Sequence, residues 1–144
     1  MKTNKHIQRL ADEWKAHDKI IIALDFDDTI SPWNFKENAD LSEMNFTIDK
    51  VKKAKETGAY VIIWTCSDPS RYSFIIDYCK AHGLEIDAIN ENVVDLGWDN
   101  GKKLYANIYI DDRGGLNESL NILQEATYLQ RLHLKQKEEE KIKL

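Results

Sequence analysis

Residues 19–30 read KIIIALDFDDTI, and this stretch carries the strongest structural signal in the chain. Ile20 to Leu24 form an unbroken apolar run, which is typical of a parallel strand covered on both faces. The run stops at acidic residues, among them Asp25 and Asp27. Ligands of open parallel sheets bind beyond the carboxyl ends of the strands, so these carboxylates occupy a position where a functional site is expected.

Three further apolar stretches resemble this strand, and we predict strands at residues 59–64, 86–89 and 106–110. Thr65 follows the first of them, and Asp111 and Asp112 follow the last. Because parallel strands end at the same edge of a sheet, these polar residues are expected to lie near Asp25.

Apolar residues at helical spacing separate the strands. We predict helices in an N-terminal segment ending before Asp18, after a cap at Thr47, after Ser67 or Asp68, and from Leu116 onward. Residues 31–46 show neither periodicity and are expected to form a long loop, here called the flap. Strands alternating with helices predict an α/β fold, namely a doubly wound, Rossmann-like three-layer sandwich with a mostly parallel central sheet.

The length of 144 residues favours one domain over the whole chain, residues 1–144. A hydrophobic fraction of 42% is ordinary for a globular domain. We place the core at about residues 19–132 and interpret residues 133–144, rich in Lys and Glu, as a charged and solvated tail.

Composition excludes several functional classes. The chain carries 20 Lys and Arg against 25 Asp and Glu, a net charge of −5, so non-specific nucleic-acid binding is not expected. No apolar run approaches the ~20 residues that span a bilayer, and the N-terminus lacks the apolar stretch of a signal peptide. Cys66 and Cys79 are too few for a disulfide scaffold and are interpreted as reduced, partly buried thiols, which favours a cytoplasmic location.

The acidic strand ends predict a metal site. Asp25 and Asp27 lie two residues apart and project to the same side while the chain stays extended, and Asp111 and Asp112 end another strand. Two carboxylates ~4 Å apart repel by roughly 4 kcal/mol at an effective dielectric of 20, so the cluster requires a cation. Oxygen ligands without His or Cys favour Mg²⁺.

The same edge has groups suited to a phosphoryl group. Thr65 offers a hydroxyl and a nearby backbone N–H, and Lys102 or Lys103 offers a fixed positive charge. A metal, a lysine and a hydroxyl can bind phosphoryl oxygens while a carboxylate attacks phosphorus.

The order of these motifs is characteristic: an apolar strand ending in DFDDT (residues 25–29), a strand ending in Thr65, a lysine at 102 or 103, and a strand ending in the pair Asp111 and Asp112. This set resembles the haloacid dehalogenase (HAD) superfamily of phosphohydrolases. The resemblance covers about residues 20–115, and it implies a Mg²⁺-dependent phosphatase.

By that resemblance Asp25 is the nucleophile that forms an aspartyl-phosphate. Asp27 is the general acid for the leaving group, then the base for the attacking water, with its backbone carbonyl on the metal. Crowding is expected to raise the pKa of whichever carboxylate lies farther from the metal, so that it can donate a proton near neutral pH.

The resemblance also assigns the remaining groups. Thr65 holds the phosphoryl oxygens, the lysine neutralises them, Asp111 binds the metal directly, and Asp112 binds it directly or through water. Both Lys102 and Lys103 are candidates, and we prefer Lys103 because it leads more directly into the strand that ends at Asp111.

Four residues near these motifs are substrate-binding candidates: Cys66, Ser67, Arg71 and Arg113. The two arginines are placed to meet a second anionic group of a substrate or, alternatively, to form surface ion pairs. Cys66 has no evident base to activate it, so a packed thiol is expected rather than a nucleophile.

Three aromatic residues fall in predicted loops: Trp33, Phe35 and Trp98. Such rings can stack on a base or sugar. We favour the alternative that they anchor the loops to the core.

Two features narrow the type of HAD-like protein. Asp28 stands where many members have Gly. The segment between Thr29 and Thr47 is too short for a cap domain, and the predicted helix and strand of the core fill the segment between Thr65 and Lys102. A capless site is open, so it admits a phosphorylated small molecule or a phosphorylated polymer end, or it is closed by a partner subunit.

We therefore expect a Mg²⁺-dependent phosphomonoester hydrolase acting on a nucleotide, a polynucleotide end, a sugar phosphate or a phosphoprotein. One alternative is a phosphotransferase of the same family. The other is a non-catalytic or receiver-like Mg²⁺-binding regulatory domain. Receivers carry the phosphorylated Asp after a middle strand. Here Asn90 and Glu91 follow the third predicted strand, and no Asp stands at that position.

Overall fold

The computed structural model describes residues 4–33, 41–98 and 101–143. Within them the chain forms four helices: α1 (Lys5–His17), α2 (Leu41–Gly58), α3 (Tyr72–Ala81) and α4 (Leu116–Lys143). It also forms four strands: β1 (Ile20–Leu24), β2 (Ala59–Ile63), β3 (Ala88–Ile89) and β4 (Ile108–Ile110). A short 3-10 turn at Pro69–Arg71 leads into α3, and the Asp68 side chain caps it by accepting from Ser70 N–H.

The strands form one parallel sheet in the order β3-β2-β1-β4. The central strand β1 is buried along its whole length, as its unbroken apolar sequence predicts. Ile22 pairs with Val61 of β2 on one side and with Ile108 of β4 on the other. The predicted Rossmann-like α/β fold is therefore confirmed.

The two faces of the sheet are covered differently. One face carries the main core, to which all four helices contribute, for example through Trp14, Val51, Ile75 and Leu123. The other face has a smaller cluster of Ile21, Ala23, Ile62 and Leu104. Its cover is the connection from β3 to β4, whose described residues contain no helix.

This asymmetry follows from the strand order. The chain moves from β1 to β2 to β3 in one direction, and right-handed crossovers then place α2 and α3 on the same face. The connection from β3 to β4 runs in the opposite direction, so it crosses the opposite face. The helices, the sheet and this connection make up the three layers.

The prediction that Thr47 caps the second helix is wrong. The helix α2 begins at Leu41, and Thr47 is buried inside it with its hydroxyl donating to the Glu43 carbonyl oxygen at 3.2 Å. A mid-helix Thr often bonds to the carbonyl four residues earlier, so a Thr alone does not mark a helix start. Residues 41–46 of the flap are therefore helical, and residues 34–40, including Phe35, lie outside the described residues.

Other boundaries differ by smaller amounts. The strands β3 and β4 are shorter than the predicted 86–89 and 106–110. Leu10 and Trp14 of α1 are fully buried in the main core, which therefore begins before the predicted residue 19. Within the tail, residues 133–143 continue α4, and most of their side chains are exposed. None of the helices in the described ranges combines the length and apolar character needed to cross a bilayer.

Candidate active site

Three of the predicted acidic residues meet at the carboxyl edge of the sheet. Asp25, Asp111 and Asp112 each present a carboxylate oxygen, and these oxygens lie within 4.8 Å of one another. The pairing of β1 with β4 positions them, because the Asp25 N–H donates to the Ile110 carbonyl oxygen at 2.9 Å and extends the ladder by one residue. Neighbouring parallel strands thus bring together residues 86 positions apart in sequence.

The local environment makes ionisation of Asp25 costly. Burial raises the pKa of Asp25 from 3.8 to about 7, and the nearby charges of Asp111 and Asp112 add to the increase. A hydrogen bond from Thr29 acts in the opposite direction. A divalent cation would relieve this repulsion, and three carboxylate ligands suit the hard ion Mg²⁺.

Thr29 connects two members of this acidic cluster. It is buried, and its Oγ1 lies 2.8 Å from Asp25 Oδ2 and 3.0 Å from Asp112 Oδ1. The same oxygen accepts a hydrogen bond from the Asp112 N–H at 3.0 Å. Sequence reasoning assigned Thr29 no role, although its position four residues after Asp25 in a tight turn was an available signal.

Asp28 supports the turn between Asp25 and the flap. Its φ of 63° lies in the left-handed region, which Asp tolerates better than most residues without being as free as Gly. Its N–H donates to the Ser31 carbonyl oxygen, and its carboxylate accepts from the Trp33 N–H. Asp28 thus occupies a conformation that also suits Gly, and its side chain adds a hydrogen bond that Gly lacks.

The Asp27 side chain pairs with a guanidinium. Arg71 donates to both carboxylate oxygens, from Nη1 to Oδ2 at 3.0 Å and from Nη2 to Oδ1 at 3.2 Å. Ser67 Oγ donates to Asp27 Oδ2 and accepts from Arg71 Nη1 at 2.6 Å. The Asp27 carboxylate is thus paired with Arg71, whereas the acidic cluster comprises Asp25, Asp111 and Asp112.

Arg71 also contacts two partly exposed aromatic rings. Its guanidinium carbon lies 4.9 Å from the ring centre of Trp33 and 5.7 Å from that of Phe74. Trp33 is 54% exposed and Trp98 is 63% exposed. The favoured interpretation that these two tryptophans anchor loops to the core is therefore wrong.

Thr65 is fixed by Asn90, a residue for which sequence reasoning gave no site role. The Thr65 N–H donates to Asn90 Oδ1 at 2.9 Å, and Asn90 Nδ2 donates to the Thr65 carbonyl oxygen at 2.8 Å. Asn90 has a φ of 56°, a left-handed conformation that Asn adopts more readily than most residues. The Thr65 hydroxyl in turn accepts from the Ser67 N–H at 3.1 Å.

Lys103 lies on the face of the sheet that the β3–β4 connection covers. Its Nζ is 5.2 Å from the ring centre of Tyr109. Tyr109 packs against the small cluster on that face, and Asp111 follows it two residues later. The strand β4 itself ends at Ile110, one residue before Asp111. The choice of Lys103 over Lys102 remains a prediction.

The other candidate residues have simpler surroundings. Cys66 is exposed, so the expectation of a partly buried, packed thiol is wrong for this residue. Cys79 is buried, and burial raises the pKa of its thiol to about 12. Arg113 is exposed, and its backbone N–H donates to Asp111 Oδ1 at 2.9 Å.

A cavity of about 460 Å³ adjoins the acidic cluster. It is lined by Asp28, Thr29 and Asp112 and by residues from the first turns of α2 and α4, including Glu43 and Asn117. Its volume falls within the range of small-molecule sites.

Comparison with known proteins supports the fold. No family model matches the chain, and no curated protein matches it. A solved structure of a conserved protein from Bacteroides thetaiotaomicron is 28% identical, with a TM-score of 0.58 over 74% of this chain and 88% of that chain. The two proteins therefore share the α/β fold.

Proposed function

We propose that the protein is a Mg²⁺-dependent phosphomonoester hydrolase of the HAD type, acting through an aspartyl-phosphate at Asp25. The observation that carries the proposal is the half-buried Asp25 carboxylate, within 4.8 Å of two others at the carboxyl edge of a parallel sheet. The order of Asp25, Thr65 and Asp111 along the chain agrees with the HAD resemblance.

The metal-binding residues in this proposal are Asp25, Asp111 and Asp112, together with the backbone carbonyl of Asp27. Their oxygen ligands fit Mg²⁺, and Thr29 holds two of the carboxylates in place. When bound, Mg²⁺ would supply positive charge to the phosphoryl oxygens and favour the ionised form of Asp25.

The first chemical step is attack by an Asp25 oxygen on phosphorus. A P–O bond to Asp25 forms while the P–O bond to the leaving group breaks. Asp27 donates a proton to the departing oxygen, which leaves as an alcohol. The Thr65 hydroxyl and the Lys103 ammonium stabilise the charge on the phosphoryl oxygens.

The second step releases phosphate. Asp27, now ionised, accepts a proton from water as the water oxygen attacks the same phosphorus. The P–O bond to Asp25 breaks, and inorganic phosphate leaves with Asp25 regenerated. Asp27 is protonated again and ready for the next substrate.

Two observations favour this function over a receiver domain. Asn90 directly follows the edge strand β3, and both polar atoms of its side chain bond to the Thr65 backbone. The cluster instead forms at β1, beside a second residue suited to proton transfer. A phosphotransferase would use the same first step with a different acceptor. The proposed substrate is a phosphorylated small molecule or a phosphorylated polymer end.

A cytoplasmic location is part of the proposal. Both cysteines are free thiols, and Cys66 is exposed. Free exposed thiols are typical of reducing compartments.

The proposal is tested by phosphate release from p-nitrophenyl phosphate with Mg²⁺ and with EDTA. We expect activity that requires Mg²⁺ and is lost in Asp25→Asn. Asp77→Asn, which neutralises an exposed carboxylate on α3, is the matched control and should retain activity. Activity of Asp25→Asn equal to that of the wild type would contradict the assigned nucleophile, and circular dichroism of each variant verifies folding.

A further inference from the structure

The ion pair between Arg71 and Asp27 occupies both oxygens of the proposed general acid. The two hydrogen bonds measure 3.0 and 3.2 Å, and Ser67 adds a third contact to Oδ2 at 3.2 Å. The Asp27 side chain is 24% exposed and that of Arg71 is 29% exposed, so solvent reaches the pair. Proton transfer to a leaving group requires one Asp27 oxygen to face the substrate, so this pairing must change during turnover.

The aromatic contacts hold the guanidinium independently of Asp27. Trp33 and Phe74 lie 4.9 and 5.7 Å from it, and both rings are more than 40% exposed. Cation–π attraction to two rings stabilises the guanidinium at this rim when the carboxylate is no longer its partner. Arg71 can therefore exchange one anionic partner for another with little movement.

We propose that Arg71 exchanges Asp27 for a second anionic group of the substrate, so that the preferred substrate is a phosphomonoester whose leaving group carries a carboxylate or another phosphate. This inference rests on the proposed phosphatase function. Carboxylate and phosphate present the same forked pair of oxygens, so either one matches the guanidinium as Asp27 does. Binding of such a substrate turns Asp27 away from Arg71 and toward the leaving oxygen.

Charge supports the assignment of this substrate class. The surrounding side chains include the carboxylates of Asp25, Asp28, Asp111 and Asp112, which repel an anionic leaving group. Arg71 is partly exposed and supplies the fixed positive charge that pairs with Asp27. A neutral leaving group would leave the guanidinium on Asp27, where it hinders proton transfer.

Three probes of similar size distinguish the possible anions: hydroxyethyl phosphate, phosphoglycolate and ethylene glycol bisphosphate. We expect kcat/KM to be about tenfold or more higher for the two anionic probes, which is the scale of a charge-assisted bidentate contact. Preference for one of the two identifies the second group as a carboxylate or a phosphate. Equal kcat/KM for all three probes would overturn the inference and leave the hydrolase proposal intact.

Variants of Arg71 test whether this residue causes the preference for an anionic leaving group. Arg71→Met should abolish the preference, lowering kcat/KM for the anionic probes about tenfold relative to kcat/KM for hydroxyethyl phosphate. Arg71→Lys should restore part of the preference through its charge. Arg131→Met, which removes an arginine paired with Glu56 on the helical face, is the control and should keep the full preference. A uniform loss for all probes in Arg71→Met would point to a structural role and overturn the inference.

A binding measurement that does not depend on turnover completes the test. Asp25→Asn in the presence of Mg²⁺ should bind phosphoglycolate or ethylene glycol bisphosphate more tightly than hydroxyethyl phosphate by calorimetry. The double variant Asp25→Asn/Arg71→Met should lose that difference. Equal affinities in Asp25→Asn would overturn the inference and, if the wild type hydrolyses p-nitrophenyl phosphate, leave the proposed function standing. A wild type that hydrolyses neither the probes nor p-nitrophenyl phosphate would contradict the proposed function, and the inference would fail with it.

Discussion

Replacing Asp25 by Asn should stabilise the metal-free protein at alkaline pH. The folded protein raises the pKa of Asp25 from 3.8 to about 7, so folding favours the protonated carboxyl. The resulting stability is complete below pH 3.8, falls as pH rises toward 7 and is absent above about pH 7. Asn resembles the protonated carboxyl and does not titrate, so the variant avoids this loss.

The magnitude follows from the same values. A pKa change from 3.8 to about 7 corresponds to about 4 kcal/mol for a fully shielded group. Asp25 is only half-buried, and solvent screening reduces the effect to about 2 kcal/mol. Because each 1 kcal/mol changes the melting temperature of a domain of this size by roughly 2–4 °C, the variant should melt roughly 4–8 °C higher at pH 8.

The assay is thermal unfolding of the wild type and Asp25→Asn in EDTA from pH 5 to pH 8. The difference in the free energy of unfolding should grow with pH and reach most of its value by pH 8. Millimolar Mg²⁺ should stabilise the wild type more than the variant, because the variant lacks one charged ligand.

Asp77→Asn again serves as the control, since its carboxylate lies outside the cluster, and it should track the wild type at every pH. If Asp25→Asn were less stable than the wild type at pH 8, or if the difference did not vary with pH, the electrostatic account of the cluster would be refuted.

Three further substitutions test the contacts that shape the site and the core. Thr29→Val removes the hydroxyl shared by two carboxylates and should reduce the Mg²⁺-induced rise in melting temperature, whereas Thr29→Ser should preserve it; equal responses would refute the bridging role. Gly58→Ala places a Cβ 2.8 Å from the Asp18 carbonyl oxygen, at a residue whose φ is 132°. The substitution should lower the free energy of unfolding in urea by about 2–4 kcal/mol. Gly97→Ala should lower it less, because Gly97 has a positive φ but no atom within 4 Å of the added Cβ. Gln130 is fully buried, and no described residue satisfies its amide, so Gln130→Met should stabilise the protein by about 1–2 kcal/mol; a lower urea midpoint would contradict this.

Sequence patterns predicted the parts of the fold that depend on local periodicity. The apolar run of β1 identified the central strand, because a strand buried on both faces has no polar positions. The start of α2 was missed because Leu41 and Phe46 in its first turns are about half exposed and give no amphipathic pattern. The described residues between β3 and β4 form no helix, and an irregular connection of this kind has no apolar periodicity from which it could be predicted.

The candidate site was predictable to a similar extent. Strand ends located Asp25 and Asp111, because topology alone brings the ends of neighbouring parallel strands together. The role of Asn90 depends on its hydrogen bonds to Thr65, which is 25 positions away in sequence. The role of Thr29 depends on its hydrogen bond to Asp112, which is 83 positions away. Neither contact can be predicted from sequence spacing. The pairing of Arg71 with Asp27 spans 44 positions and could not be read from spacing.

Trapping the phosphorylated protein tests the central claim most directly. In the Asp27→Asn variant, Asp25 should still attack the phosphorus of p-nitrophenyl phosphate, because p-nitrophenolate departs without a proton. The variant should hydrolyse the resulting aspartyl-phosphate slowly, because it lacks the base that activates water. Rapid mixing with p-nitrophenyl phosphate and Mg²⁺ should therefore give a burst of about one equivalent of p-nitrophenol. Peptide mass mapping should place the phosphoryl group on Asp25. A phosphoryl group on another residue, or steady turnover with neither a burst nor a phosphorylated protein, would contradict the account.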